Sequence, residues 1–185
     1  CKILTGNIER MGFQNVVTTC ASPQKLLKIF PEQYFNMIMV DAPCSGEGMF
    51  RKEEIAIDEW SPENVKMCAE RQAEILDCAA KMVKVGGYIV YSTCTFSLEE
   101  NEMTVEKFLQ RNPGFELVEI PQEFGRKGYT YHTNDKKLSK TRRILFQDGG
   151  EGHFIAKFIN NEFVECNVKP FEFKNCENKI FDDFY

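Results

Sequence analysis

Long apolar runs are missing from this sequence. No stretch reaches the roughly 18 consecutive apolar residues of a membrane-spanning helix, and no secretory leader stands at the front. A starting methionine is missing as well: the chain opens at Cys1, inside what reads as a helix, so it is expected to lack its true beginning. Histidine is scarce, with only His132 and His153. Neither stands at ligand spacing from a cysteine, and no CxxC pair occurs, which argues against a structural zinc site and a thioredoxin-like redox centre. A large charge of one sign is missing too, since the net charge is −5, and there is no internal repeat or low-complexity segment.

What is present is an ordinary globular mixture, 43% hydrophobic and 28% charged, long enough at 185 residues to bury one core without disulfides. Eight cysteines occur, several of them inside apolar runs where a free thiol acts as a small core residue. That usage fits a reducing cytoplasm. Positive charge is concentrated locally: Arg126, Lys127, Lys136, Lys137, Lys140, Arg142 and Arg143 face only Asp135, so residues 126–143 carry about +6. Such a segment is either a solvated basic loop or a surface for phosphates.

Hydrophobic periodicity predicts an alternating order. Ile3, Leu4, Ile8 and Met11 repeat at helical spacing up to Gly12. Asn15–Thr19 reads as a strand, and Ser22-Pro23 opens a helix that Pro31 ends. The apolar run Asn36–Val40 predicts a central parallel strand covered on both faces, with Asp41 at its carboxyl end. Ser61 caps a long helix with Pro62 at its first position, and Val65, Cys68, Ala69, Gln72, Ile75, Leu76, Ala79, Met82 and Val83 make its inner face until Gly86-Gly87 stops it. Tyr88–Ser92 is the next strand. Ser97 and Glu100 form a capping box for a helix to Arg111, Phe115–Ile120 is a strand, residues 121–143 are irregular and basic, and Phe154–Ile159 is a last strand. The alternation predicts an α/β fold with helices on both faces of a parallel sheet. Two final strands joined without a helix add an antiparallel pair at one edge. Residues 1–159 would form this domain, and residues 160–185, polar and aromatic, a tail or the start of a further module.

Two loops carry the chemistry. Asp41-Ala42-Pro43-Cys44-Ser45-Gly46 follows one strand, and Ser92-Thr93-Cys94-Thr95 follows the next. Ligands of open α/β sheets bind at the carboxyl ends of strands, and strands separated by one helix are usually neighbours. Cys44 and Cys94 should therefore meet in one crevice. Cys94 also lies just before the expected helix cap at Ser97, a place that lowers a thiol pKa. A lone loop cysteine is usually structural; two of them beside an acid are more specific.

DAPCSGEGMFRK followed by YSTCTFSLEENE resembles the Sun/nucleolar-p120 family of RNA 5-methylcytosine methyltransferases, and GEGMFRK with the later GGEGHFIAKF resembles its bacterial branch acting on small-subunit ribosomal RNA. The resemblance covers about Cys1 to Ile159. It implies a Rossmann-like class I methyltransferase fold whose first two strands are absent, S-adenosyl-L-methionine as cofactor, and RNA as partner, with ribosomal RNA favoured over transfer RNA and neither DNA nor a membrane involved. It implies Cys94 as the nucleophile at cytosine carbon 6, Cys44 as the residue assisting loss of the carbon 5 proton and release of the RNA, and Asp41 as the acid at the base edge. Asp41, Pro43 and Ser22 would border the cofactor, and Arg51 and Lys52 would hold RNA phosphates. Met49 and Phe50 read as packing residues, and Glu99, Glu100, Asn101 and Glu102 as capping and solvated positions.

The sequence departs from the family where the glycine-rich cofactor loop and the ribose-binding acid are missing, where Thr19-Cys20-Ala21-Ser22 has no acid for the adenine, and where Phe146-Gln147 replaces a Pro-His pair. This chain alone is accordingly expected to bind the cofactor poorly and to be inactive. The competing reading is a scaffold or RNA-binding protein that keeps the shell without catalysis.

Overall fold

The computed structural model describes residues 2–161 apart from 122, 124 and 134. The expected tail lies outside the described residues except at 160 and 161, and Asn160 closes the last strand. In chain order the elements are α1 (Lys2–Arg10), α2 (Pro23–Leu26), β1 (Phe35–Asp41), α3 (Glu54–Asp58), α4 (Pro62–Met82), β2 (Val83–Thr93), α5 (Glu102–Arg111), β3 (Phe115–Leu117), β4 (Arg126–Lys127), β5 (Arg142–Ile144) and β6 (His153–Asn160), with short 3-10 turns at Glu47–Met49, Lys136–Lys140 and Phe146–Asp148.

These form one mixed sheet in the order β1-β2-β6-β5-β4, with β3 also paired to β6. β1 and β2 are parallel, as their connection through α4 requires. β6 runs antiparallel to β2 on one side and to β3 and β5 on the other. The antiparallel part is thus wider than a pair, and β6 lies inside the sheet between β2 and β3.

α4 begins as its sequence demands. The Ser61 hydroxyl accepts from the Asn64 amide at 3.0 Å and Pro62 fills the first turn. The core beneath α4 and α5 joins Leu76, Ile89, Tyr91, Val105, Phe108, Ala156 and Phe158, all fully buried. Phe108 meets Phe158 with ring centres 4.7 Å apart and Phe115 at 5.3 Å, edge-on or tilted as aromatic quadrupoles prefer.

Several expectations are corrected. α4 ends at Met82, not at Gly86-Gly87: the β-branched Val83 is already extended, and the glycine pair lies within β2. There Phe35 pairs with Val83 but Met37 with Tyr88, so the intervening residues bulge out, and Gly86 takes a φ of 74° that a side chain would resist. Asn15–Thr19 forms no strand, having no neighbour to pair with among the described residues. β1 is not covered on both faces. Met37 and Met39 are 58% and 70% exposed on the face opposite α4, while Val40 is buried.

The basic segment is also not a loop of free cations. Arg142 and Arg143 are fully buried. The Arg142 guanidinium donates to the carbonyls of Ser139 (3.1 Å), Thr141 (2.8 Å) and Ile120, tying the chain before β5 to the segment that follows β3. Arg143 pairs with Glu102. Charge counting could not see that these two arginines point inward.

Candidate active site

β1 and β2 end side by side, with Asp41 opposite Ser92 in the register. The Ala42 amide continues the ladder, donating to the Ser92 carbonyl at 3.0 Å, and the Ser92 hydroxyl donates to Asp41 Oδ1 at 3.0 Å. Three residues past Asp41 and two past Ser92, the loops bring the thiols together: Cys44 Sγ and Cys94 Sγ are 3.3 Å apart, and the Cys94 amide points at Cys44 Sγ over 3.4 Å. Both cysteines are partly exposed and neither is in a disulfide.

One proton is shared unequally across this contact. The hydrogen bond from Cys44 holds Cys94 down, to about 7, against the opposing effects of burial and of the Asp41 charge. The same contact and burial push Cys44 up. Burial and the contact therefore leave Cys94 the more readily ionised of the two thiols, and a thiolate is the nucleophilic form. The helix-terminus argument made from sequence does not apply. α5 starts only at Glu102, after a turn through 98–101, so the lowering comes from Cys44 and not from a nearby helix end.

The loops are cross-braced. Glu47 Oε2 accepts from the Thr95 hydroxyl (3.0 Å) and the Phe96 amide (2.8 Å), and its Oε1 from the Trp60 indole (2.9 Å). The Ser45 and Thr95 hydroxyls bond at 2.8 Å. The Gly48 amide donates to the Cys94 carbonyl at 2.9 Å. A Cβ at Gly48 would stand 2.8 Å from that carbonyl and press on the Glu151 carbonyl, so glycine is required there for close approach.

Beneath the loops lies a buried polar network that the sequence reading missed. Gln72, Glu100, Asn101 and Glu102 are each fully buried. Gln72 donates to the Pro43 carbonyl (2.9 Å) and to Glu100 Oε2 (2.8 Å), and Glu100 Oε2 also accepts from the Ser45 amide (3.0 Å). Asn101 accepts from the Thr93 hydroxyl (2.6 Å) and donates to the Thr95 carbonyl (2.9 Å). The capping box is only half made: Ser97 accepts from the Glu100 amide at 3.3 Å, but the Glu100 carboxyl turns inward. The available signal was Gln72, a polar residue in the middle of an otherwise apolar helix face.

The remaining expected residues are placed as follows. Pro43 is exposed beside Asp41. Ser22 is exposed at the start of α2, its hydroxyl turned to the Lys25 amide at 3.4 Å. Arg51 lies over the Phe146 ring, 4.9 Å from its centre, and Phe146 meets Phe96 at 5.5 Å. Lys52 is paired with Glu151. Together Gly48, Arg51, Lys52, Phe146 and Glu151 line a pocket of about 300 Å³ beside the Cys94 loop. No cluster suited to a metal ion and no helix long and apolar enough to cross a membrane occurs among the described residues.

Comparison with known proteins identifies the family. A family model described as 16S rRNA methyltransferase RsmB/F matches residues 1–159. The ribosomal RNA small subunit methyltransferase F of Klebsiella pneumoniae (strain 342) is 43% identical over 119 residues, covering 64% of this chain and 24% of that protein. That of Aliivibrio fischeri (strain ATCC 700601 / ES114) is 33% identical over 193 residues, covering 96% of this chain and 38% of that protein. The chain thus spans well under half the length of these relatives. Among solved structures, a methyltransferase homologue from Pyrococcus horikoshii superposes with a TM-score of 0.71 at 26% identity, over 85% of this chain and 48% of that one. NSun6 from Pyrococcus horikoshii with SFG superposes with a TM-score of 0.69 at 27% identity, over 87% and 38%. These solved methyltransferases share the Rossmann-like α/β fold found here, and the chain belongs to the 16S rRNA methyltransferase RsmB/F family.

Proposed function

We propose that this chain carries the catalytic thiols of an enzyme that methylates carbon 5 of cytosine in RNA, with ribosomal RNA as the substrate. The observation that carries this reading is the pair of thiols 3.3 Å apart, with Cys94 the more readily ionised of the two. A scaffold would have no use for such a pair.

Carbon 5 of cytosine is a poor nucleophile. The Cys94 thiolate adds to carbon 6, and the ring nitrogen 3 takes up a proton from water, to which it is later returned, so negative charge does not build on the pyrimidine. Asp41, exposed at the end of β1, holds the base edge in the protonated form. Carbon 5, now enamine-like, takes the methyl group. A base then removes the carbon 5 proton, the Cys94–carbon 6 bond breaks with its electrons returning to sulfur, and nitrogen 3 gives its proton back. Cys44 is suited to the second half. Once Cys94 is bonded to carbon, the sulfur that held Cys44 protonated is no longer an anion, and Cys44 is free to lose its proton and accept the one from carbon 5, directly or through water. The target base must be unpaired or flipped out to reach the thiols.

S-adenosyl-L-methionine supplies an electrophilic methyl group in this family. Asp41, a carboxylate, and Pro43, an exposed ring, fit one flank of such a cationic group at the end of β1. Ser22 would add a polar contact only by giving up its place at the α2 cap. Arg51 and Lys52, on the pocket beside Cys94, would meet the RNA backbone.

The test is a trapped adduct. The complete gene product carrying Cys44→Ala is mixed with S-adenosyl-L-methionine and unmethylated small-subunit RNA and run on a denaturing gel. A protein–RNA band that disappears when Cys94→Ala is added is the expected result. RNA binding with no band would sink the division of labour between the thiols and favour a scaffold.

A further inference from the structure

We infer that Gln72 and Glu100 are positioning residues that clamp the two peptide groups flanking Cys44, and so aim its thiol at Cys94. The proposal rests on the reading of the thiol pair given above, and adds two residues to it that touch neither sulfur.

The geometry is specific. The loop carrying Cys44 is held from below at the carbonyl before it and the amide after it. The Pro43 carbonyl accepts from Gln72 Nε2 at 2.9 Å, and the Ser45 amide donates to Glu100 Oε2 at 3.0 Å. The two clamping side chains are bonded to each other at 2.8 Å. The Tyr91 hydroxyl lies 2.6 Å from the Glu100 carbonyl and 2.9 Å from Gln72 Oε1, and the two acceptors at the Pro43 carbonyl and Glu100 Oε2 turn the Gln72 nitrogen toward the loop. Gln72 comes from α4, Tyr91 from β2 and Glu100 from the turn before α5, so three separate elements converge on one residue's backbone.

A purely structural account leaves two features without a purpose. The first is the identity of Glu100, a fully buried carboxyl with no ion-pair partner among the described residues, Arg143 being taken by Glu102. Its Oε1 has no hydrogen-bond partner. Burial without a counter-ion is costly, and it pushes the Glu100 carboxyl up. The second is where the pair acts. A glutamine and a glutamate placed only for core filling would be exchanged for apolar residues at no loss; these two spend their bonds on the loop with Cys44. Backbone fixed on both sides leaves the Cys44 side chain few directions, and the one it takes puts sulfur against sulfur.

The experiment reads the thiolate of Cys94, not methylation, so it stands or falls apart from the proposed reaction. The 185-residue chain is alkylated with iodoacetamide across a pH series, and modification of Cys94 is followed by peptide mass spectrometry. The charged groups that bear on Cys94 are Cys44, which lowers it, and Asp41 and Glu100, which raise it. If Glu100 acted only through its charge, removing it would lower the alkylation midpoint. As a clamp, its loss raises the midpoint. Glu100→Ala and Gln72→Met are each expected to raise it by about one pH unit toward an ordinary cysteine. Cys44→Ala is expected to do the same, and Gln72→Met added to Cys44→Ala to raise it no further, because both act through one hydrogen bond. Glu100→Gln, which keeps an acceptor for the Ser45 amide but loses the charge, is expected not to raise the midpoint. An unchanged or lowered midpoint in folded Glu100→Ala and Gln72→Met chains overturns the proposal, as does a further rise in the double variant. If Glu100→Ala does not fold, Gln72→Met decides; if neither folds, the pair supports the fold and the proposal falls.

Discussion

Arg143 and Glu102 form a buried ion pair that joins β5 to the first turn of α5. Arg143 Nε donates to Glu102 Oε1 at 2.7 Å, a second bond joins the other nitrogen and oxygen, and the guanidinium lies 4.3 Å from the centre of the Tyr129 ring. Its remaining nitrogen donates to the Phe96 carbonyl at 3.0 Å, two residues past Cys94. Removing one partner leaves the other charged and dry. Arg143→Met is therefore expected to cost about 3–5 kcal/mol, read by urea denaturation. Arg143→Met with Glu102→Gln should cost less than the two single changes added together.

Glu100 makes stability depend on pH. Its carboxyl is pushed up by burial, so the folded state binds its proton more tightly than the unfolded state does. The sign follows: its contribution is full below the unfolded pKa and is lost as pH rises through the folded one. Glu100→Gln cannot ionise and escapes that loss. The variant should melt close to the parent at about pH 4 and above it at about pH 8. A gap that shrinks as pH rises would refute the assignment.

Arg51 and Lys52 should differ in RNA binding despite being neighbours. Arg51 keeps its charge free while stacked on Phe146, and Lys52 is partly neutralised by Glu151. Arg51→Ala should weaken binding and flatten the plot of log affinity against log salt by about 1. Glu151→Gln should strengthen binding by releasing Lys52. Filter binding over a salt series checks both.

Gly48 sets how closely the two thiol loops approach. An added methyl group would drive against the Cys94 and Glu151 carbonyls. Gly48→Ala should destabilise the chain by about 1–3 kcal/mol and, by moving the Cys94 loop outward, slow iodoacetamide modification less at alkaline pH than near neutrality.

The meeting of Cys44 and Cys94 was legible before any coordinates, because parallel strands linked by one helix lie side by side and their carboxyl ends face one crevice. The cap at Ser61 was legible for a local reason, since an N-cap depends on a few adjacent residues. Glu100 and Glu102 were not. Both stand in a run of acids that reads as a solvated helix start, and only the partners brought from α4, the Cys44 loop and β5 draw them inward. Arg142 and Arg143 fail in the same way: a run of cations looks exposed until the carbonyls and the carboxylate that surround them are known. The end of α4 was misplaced because a glycine pair signals equally a helix stop and a strand bulge, and β-branched Val83 and Val85 decide for the strand.

The interior position of β6 has a consequence for the order in which the sheet can be built. β3 leaves the ribosome before β6 but has no partner among the described residues of the sheet except β6, and β2 waits for the same strand on its free edge. Until His153–Asn160 is synthesised, both edges stand open, and the Phe108 and Tyr91 rings that Phe158 and Phe154 will cover remain wet. Such long-range closure is slow and exposes apolar strand edges while it waits. The thiol site is assembled by residues 41–102, yet Arg143, which ties Phe96 and Glu102 together, arrives on the strand next to β6. A nascent chain arrested short of residue 143 would therefore hold both cysteines without the brace that fixes the loop of the second.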